Sequence, residues 1–151
     1  MKKLLSVLLF VFCFSGMQAL ADDVLNARQL ALRSDVQTFL KQEGFVPEID
    51  KDGDIKFKRE GRVYYVSIDK GNKSPMFIRL QSWYAYTDVP KSKIVAALPD
   101  LNLWKAVKVE VFESQFVVQT EMFLVDAEAF KSVFYQLMSI VSDVEGEVEK
   151  L

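Results

Sequence analysis

The chain has 151 residues, a formal net charge of −2 and no histidine. Without an imidazole there is no Ser-His-Asp or Cys-His activation of a nucleophile, no histidine-ligated metal and no histidine pH switch. The mild acidity removes any general attraction to nucleic acid or to anionic lipid.

Lys2 and Lys3 precede an apolar run from Leu4 to Phe14 broken only by Ser6, and Ala19-Leu20-Ala21 puts small residues at the two positions a signal peptidase reads. This is the three-part pattern of a cleavable secretory leader, with cleavage expected between Ala21 and Asp22. The run is shorter than the roughly 20 residues of a spanning helix, so no stable membrane span is expected after cleavage. Cys13 does not make a lipobox, because Phe12 stands where a small residue must directly precede the cysteine. The expectation is a leader over 1–21 and a single exported domain, periplasmic or secreted, over 22–151. The leader takes two lysines and no acid with it, so the net charge falls by two to −4. It also takes the only cysteine, so the domain has no disulfide and must be held by its core.

Leu32, Val36, Phe39 and Leu40 recur at helical spacing and predict a helix between Val24 and Glu43. It either starts at Asp35 behind a Ser34/Gln37 capping box or runs through from Leu25, and Gly44 is its expected stop. Phe45–Ile49 contains Pro47 and is at best an edge strand. Asp50-Lys51-Asp52-Gly53-Asp54 is expected to turn into a strand carrying Ile55 and Phe57. Glu60-Gly61 is a two-residue turn signal, and Arg62–Ile68 returns as a strand. Asp69–Pro75 is expected to be a polar loop. Met76–Tyr86 is the longest strand, with Ile78, Leu80, Tyr84 and Tyr86 on one face and Phe77, Arg79, Gln81 and Trp83 on the other. Pro90 opens a short helix expected to end near Leu98-Pro99, with a loop over 99–103. Val107, Val109 and Val111 alternate with Lys108 and Glu110 in a strand that turns at Glu113-Ser114 and pairs back through Phe116–Phe123. Asp126 caps a last helix whose stripe is Phe130, Val133, Phe134, Leu137, Val141 and Val144. The order α-ββββ-α-ββ-α with tight turns predicts an α+β fold: a twisted antiparallel sheet of about five to six strands with helices packed on one face.

No catalytic residue and no cofactor is expected. Glu110, Glu113 and Glu121 surround one hairpin and suit a solvated strand face. Ser67, Ser74, Ser82 and Ser114 lack a nucleophile elbow, and the glycines are too isolated to cradle a phosphate. Lys56, Lys58, Arg59 and Arg62 suit a solvated basic hairpin that discourages edge pairing. Asp50, Asp52 and Asp54 alternate like the start of a calcium loop, which makes a calcium- or carboxylate-dependent activity the alternative function. However, Ile55 and Gly61 stand where such a loop needs its glycine and its glutamate, so turn chemistry accounts for the motif. The strand aromatics are the remaining feature. Consecutive pairs such as Tyr64-Tyr65 and Trp83-Tyr84 must point to opposite faces, so one of each pair faces away from the helices. Tyr65, Trp83, Tyr84 and Tyr86 are the expected partner-binding residues.

Leu40-x-x-Glu43-Gly44-Phe45-x-Pro47, followed by Asp50-x-Asp52-Gly53-Asp54-Ile55-x-Phe57-Lys58-x-Glu60-Gly61-x-x-Tyr64-Tyr65, resembles the N-terminal half of the YbjN-like proteins. Asn102–Val111, Glu121-Met122-Phe123 and Asp126–Leu137 resemble their second half. The resemblance implies a fold similar to that of the type III secretion chaperones, a twisted antiparallel sheet packed by helices and often dimeric. It implies no catalytic residues. It implies binding of an extended protein segment by strand addition at a sheet edge. With a leader present, that partner is expected to be an exported protein or peptide, and a purely structural exported protein is the further alternative.

Overall fold

The computed structural model describes residues 24–87 and 89–151, and the leader expected over 1–21, with Cys13, lies outside them. The chain runs α1 (Ala27–Gln42), β1 (Glu48–Ile49), β2 (Ile55–Arg59), β3 (Arg62–Lys73), β4 (Met76–Ala85), α2 (Lys91–Leu101), β5 (Val107–Val111), β6 (Gln115–Leu124) and α3 (Ala127–Val148). The strands form one six-stranded antiparallel sheet in the order β1-β2-β3-β4-β6-β5. This is the predicted α+β fold in the predicted element order.

α1 runs through Ser34. Its capping box is Asn26 with Gln29: the Asn26 side chain accepts from the Gln29 amide at 2.9 Å, and the Gln29 side chain accepts from the Asn26 amide at 2.8 Å. The same Gln29 is wholly buried, and its Nε2 donates to the carbonyls of Asp69 and Asn72 at 2.8 and 3.1 Å. That bond explains a departure from expectation. Asp69–Lys73 extends β3 instead of forming a loop, with a register shift between Ile68 and Lys73. The helix ends as expected: Gly44 has φ +88°, its amide donates to the Lys41 carbonyl, and the Phe45 amide donates to the Leu40 carbonyl. The left-handed residue lets these two bonds close on the last turn.

α2 continues past Pro99 to Leu101. A proline in a last turn removes one amide donor, and burial of Ile94 and Leu101 holds the turn regardless. α3 begins at Asp126, whose side chain accepts from the Ala129 amide at 3.0 Å. Its stripe of Phe130, Phe134, Leu137, Met138, Val141 and Val144 is buried with α1 residues Leu32, Val36, Phe39 and Leu40 against one sheet face. Phe134 is the junction, with its ring 5.4 Å from Phe39, 5.9 Å from Phe45, 6.1 Å from Phe57 and 5.5 Å from Phe130. Burial of one such phenyl contributes roughly 2–3 kcal/mol.

The β2–β3 turn places Glu60 at φ 52° and Gly61 at φ 81°, so both central residues are left-handed and the hairpin closes on the pair Arg59 and Arg62. Glycine adopts this geometry freely, but glutamate is strained by its Cβ. Glu60→Asn is expected to stabilise the protein by about 0.5–1 kcal/mol, because asparagine tolerates the left-handed region better. Urea denaturation measures this, and an unchanged or lower midpoint contradicts it.

Candidate functional site

Every helix packs on the sheet face formed by Ile55, Phe57, Tyr64, Val66, Ile68, Ile78, Leu80, Val109, Phe116 and Val118. The register defines what the opposite, helix-free face carries. Phe77 lies opposite Phe123 at one end. Next comes a row of Ser67, Arg79 and Glu121, then a row of Lys56, Tyr65, Gln81, Gln119 and Lys108. Trp83, Val117 and Glu110 follow, with Phe112 beside Trp83. The face is therefore banded. The rings of Phe77 and Phe123 lie 4.9 Å apart with the Arg79 guanidinium 4.8 Å over Phe77, and the rings of Trp83 and Phe112 lie 5.4 Å apart. Trp83 lies six residue steps along β4 from Phe77, which is about 20 Å at a strand's rise. Trp83, Phe112 and Phe123 are exposed.

The middle band is polar and internally bonded. The Ser67 hydroxyl donates to Gln81 Oε1 at 3.3 Å, Gln81 Nε2 to Gln119 Oε1 at 2.6 Å, and Gln119 Nε2 to Glu121 at 3.0 Å. Arg79 and Lys108 pair with Glu121, and Lys108 also pairs with Glu110. Glu110 and Glu121, expected to be solvated, are members of this network. Gln119 and Val117 are buried although they lie on the helix-free face, and Gln119 Nε2 is bonded to both Glu110 and Glu121.

The four aromatics singled out in the sequence do not form one surface. Tyr65 and Trp83 belong to the helix-free face, whereas Tyr84 and Tyr86 point to the helix side, and their hydroxyls are occupied. The Tyr86 hydroxyl is shared between the Phe112 and Gln115 carbonyls at 3.0 and 2.9 Å, and its ring stacks 5.8 Å from Phe116. The Tyr84 hydroxyl donates to Glu145.

Glu145 is the site residue that composition and periodicity did not single out. It sits in α3 between Val144 and Val148 and is 3% exposed. It accepts from the Tyr64 hydroxyl at 3.1 Å, from the Tyr84 hydroxyl, and from the Arg62 guanidinium at 2.9 Å. Burial, reinforced by the nearby carboxylate, pushes the Tyr64 phenol up to about 12 and also raises Tyr84, so both stay protonated and donating at neutral pH. Arg62, expected to be one of four solvated basic residues, is instead the counter-charge of this buried acid and of Glu149. A cleft of about 410 Å³ opens beside Glu145 between Tyr84, Val89, Phe116 and Val148. The signal available in the sequence was an acid at helical spacing from Met138 and Val141 on an apolar stripe.

The Asp50–Asp54 segment is built as a turn. Asp50 Oδ1 accepts from the amides of Asp52 and Asp54 at 2.9 and 3.0 Å, and Arg33 of α1 donates to the Gly53 carbonyl at 3.1 Å. Among the described residues, no group of three or more His, Cys, Asp or Glu side chains is placed to hold a metal ion. Asp54 is raised to about 6 by partial burial and then by the charges of Asp50 and Asp52.

The sheet edges are protected. β1 has two residues and follows Pro47. On the other edge, Asn102 at the C-terminus of α2 spans the middle of β5: its Oδ1 accepts from the Val109 amide at 2.7 Å and its Nδ2 donates to the Val109 carbonyl at 3.4 Å. In the resting fold this side chain occupies the position that a strand added at β5 would take. No helix among the described residues is long and apolar enough to cross a membrane.

Two predictions follow from these charges. Arg62→Leu leaves Glu145 buried without its counter-charge and is expected to cost about 2–3 kcal/mol, whereas Glu149→Ala, at the exposed end of the same pair, stays within about 0.5 kcal/mol. Equal costs in chemical denaturation contradict this ranking. Asp54 has a folded pKa above its unfolded value, so its contribution to stability is fully present below about pH 4 and is lost as pH rises through about 6. Asp54→Asn is expected to match wild type near pH 4 and to exceed it at pH 7 by on the order of 1 kcal/mol after solvent screening. Melting curves across that range test it, and a variant less stable than wild type at pH 7 refutes it.

No protein-family model and no curated protein matches the chain. Among solved structures, the chain is similar to a chain of the HopA1-SchA chaperone-effector complex, with a TM-score of 0.57 over 85% of this chain and 100% of that one, at 9% sequence identity. At that identity the likeness is one of fold: the α+β sheet described above is shared with a component of a chaperone-effector complex.

Proposed function

We propose that this protein is an exported, chaperone-like binding module that holds a protein or peptide segment against the helix-free face of its sheet. The observation that carries this reading is the banding of that face, with an aromatic pair at each end, exposed at Trp83, Phe112 and Phe123 and half-buried at Phe77, and a bonded polar belt between them. Exposed aromatics rimmed by polar groups favour protein contact. The partner that fits places apolar side chains at both ends of a contact about 20 Å long, with polar groups in the middle. Strand addition, the mode suggested by the resemblance to YbjN-like proteins, is met by protected edges in the resting fold, and this favours the face. The fold shared with a chain of a chaperone-effector complex supports a partner-binding role, and the leader at 1–21 supports an exported partner. Tyr65 and Trp83 remain in the proposed surface, joined by Phe77, Phe112 and Phe123, while Tyr84 and Tyr86 serve the core.

Trp83→Ser combined with Phe123→Ser alters only exposed rings and is expected to melt within about 3 °C of wild type. The combined variant is expected to recover no stoichiometric partner from periplasmic extract. Tyr135→Ser, at an exposed ring on the helix side, is expected to recover as much as wild type. Undiminished recovery by the double variant overturns the surface, and an intact mass that retains residues 1–21 in the periplasmic fraction overturns the cleaved leader.

A further inference from the structure

The cleft of about 410 Å³ beside Glu145 lies where the end of β4 meets the last turns of α3, and the binding role proposed above leaves it unassigned. Its size falls in the range of small-molecule sites, which are mostly apolar with a few placed polar groups. The walls are Val89, Phe116 and Val148, with the Tyr84 ring stacked 5.2 Å from Phe116. Among the described residues, the charged side chains that line it are Glu145 and Glu149, both carboxylates. Arg62 pairs with both acids, and Lys93 of α2 donates to the Leu151 carbonyl, but neither cation lines the cleft. One guanidinium thus serves two carboxylates and leaves that group with a negative charge in excess.

Glu145 is the deeper of the two acids, 3% exposed. Its Oε2 accepts from the Tyr64 hydroxyl at 3.1 Å and from Arg62 at 2.9 Å, and its Oε1 accepts from the Tyr84 hydroxyl. A carboxylate has about four acceptor positions, so Oε1 has room for one further donor. A hydrogen bond made there, away from water, is electrostatically stronger than one made in solvent. We infer that this cleft binds a small organic cation, a primary ammonium on an apolar body, with Glu145 and Glu149 taking the ammonium and Val89, Phe116 and Val148 enclosing the body. An ammonium supplies three donors and the positive charge that the two acids lack. A neutral alcohol of the same shape supplies a donor without the charge, and a carboxylate meets two like charges. The cleft shares only Trp83 with the surface proposed for the protein partner, so this inference goes beyond that reading and is independent of it.

Calorimetric titration of the purified protein with 2-phenylethylammonium, 2-phenylethanol and 3-phenylpropanoate tests it. The ammonium is expected to bind at one site per chain, the alcohol about tenfold more weakly, and the carboxylate not at all. Glu149→Gln removes one acid at an exposed position while keeping its shape. It is expected to weaken the ammonium about tenfold and to leave the alcohol unchanged. Val89→Trp fills the cleft and is expected to abolish binding of both. If Val89→Trp does not melt cooperatively, the exposed Glu149→Gln carries the test alone. Absence of saturable ammonium binding at millimolar concentration overturns the inference, and so does equal binding of ammonium and alcohol or an affinity indifferent to Glu149→Gln. A blocked lysine amide that binds more tightly than the free amine also overturns it, because the cleft then belongs to a side chain of a protein partner.

Discussion

An antiparallel sheet has two faces, and all the helix in this chain lies on one of them. That constraint organises the molecule. The covered face takes the aliphatic and aromatic alternates of each strand, with Phe134 of α3 joining α1, β2 and the loop at Phe45 into one aromatic cluster. The opposite face has to be compatible with water while lying over strands rich in β-branched and aromatic residues. It manages this by laying Arg79, Lys108, Glu110 and Glu121 across the sheet and linking Gln81 to Gln119 beneath them. Where that belt ends, at Phe77/Phe123 and Trp83/Phe112, apolar rings are left at the surface. The aromatic surface is thus the remainder of one-sided packing, and it is where a partner has most to contribute.

The buried carboxylate of Glu145 is the opposite solution to the same problem. A charge in the interior is tolerable only when its hydrogen bonds and its counter-charge are supplied. Arg62 reaches it from β3, and Tyr64 and Tyr84 reach it from β3 and β4, so one acid on α3 fixes that helix against two central strands. It also consumes the hydroxyl of Tyr84, which would otherwise be free for recognition.

Edges carry the third constraint. A sheet of six strands leaves two rows of unpaired backbone groups, and proteins protect these against unintended pairing. Here one edge is shortened to two residues after a proline, and the other is met by Asn102 from the end of α2. The helix that covers β5 on one face thus also supplies the cap on its edge.

Period and punctuation in the sequence determined the element order, the α+β class, the stops at Gly44 and Gly61 and the cap at Asp126, because each rests on local backbone geometry. Alternation likewise separated Trp83 from Tyr84 by face before any contact was known. Tertiary contacts decided the rest. Asn26 won the helix start over Ser34 because Gln29 completes its box and is then buried against β3. Asp69–Lys73 became strand because the same Gln29 holds its carbonyls. α2 passed Pro99 because Leu101 is buried beyond it. Arg62 turned from a solvated charge into the half-buried partner of a buried acid because α3 brings Glu145 to it across 83 residues of chain. A sequence states which way a side chain points, since that follows from the backbone's own period. What it points at depends on which distant segment packs there, and that is decided only when the whole core closes.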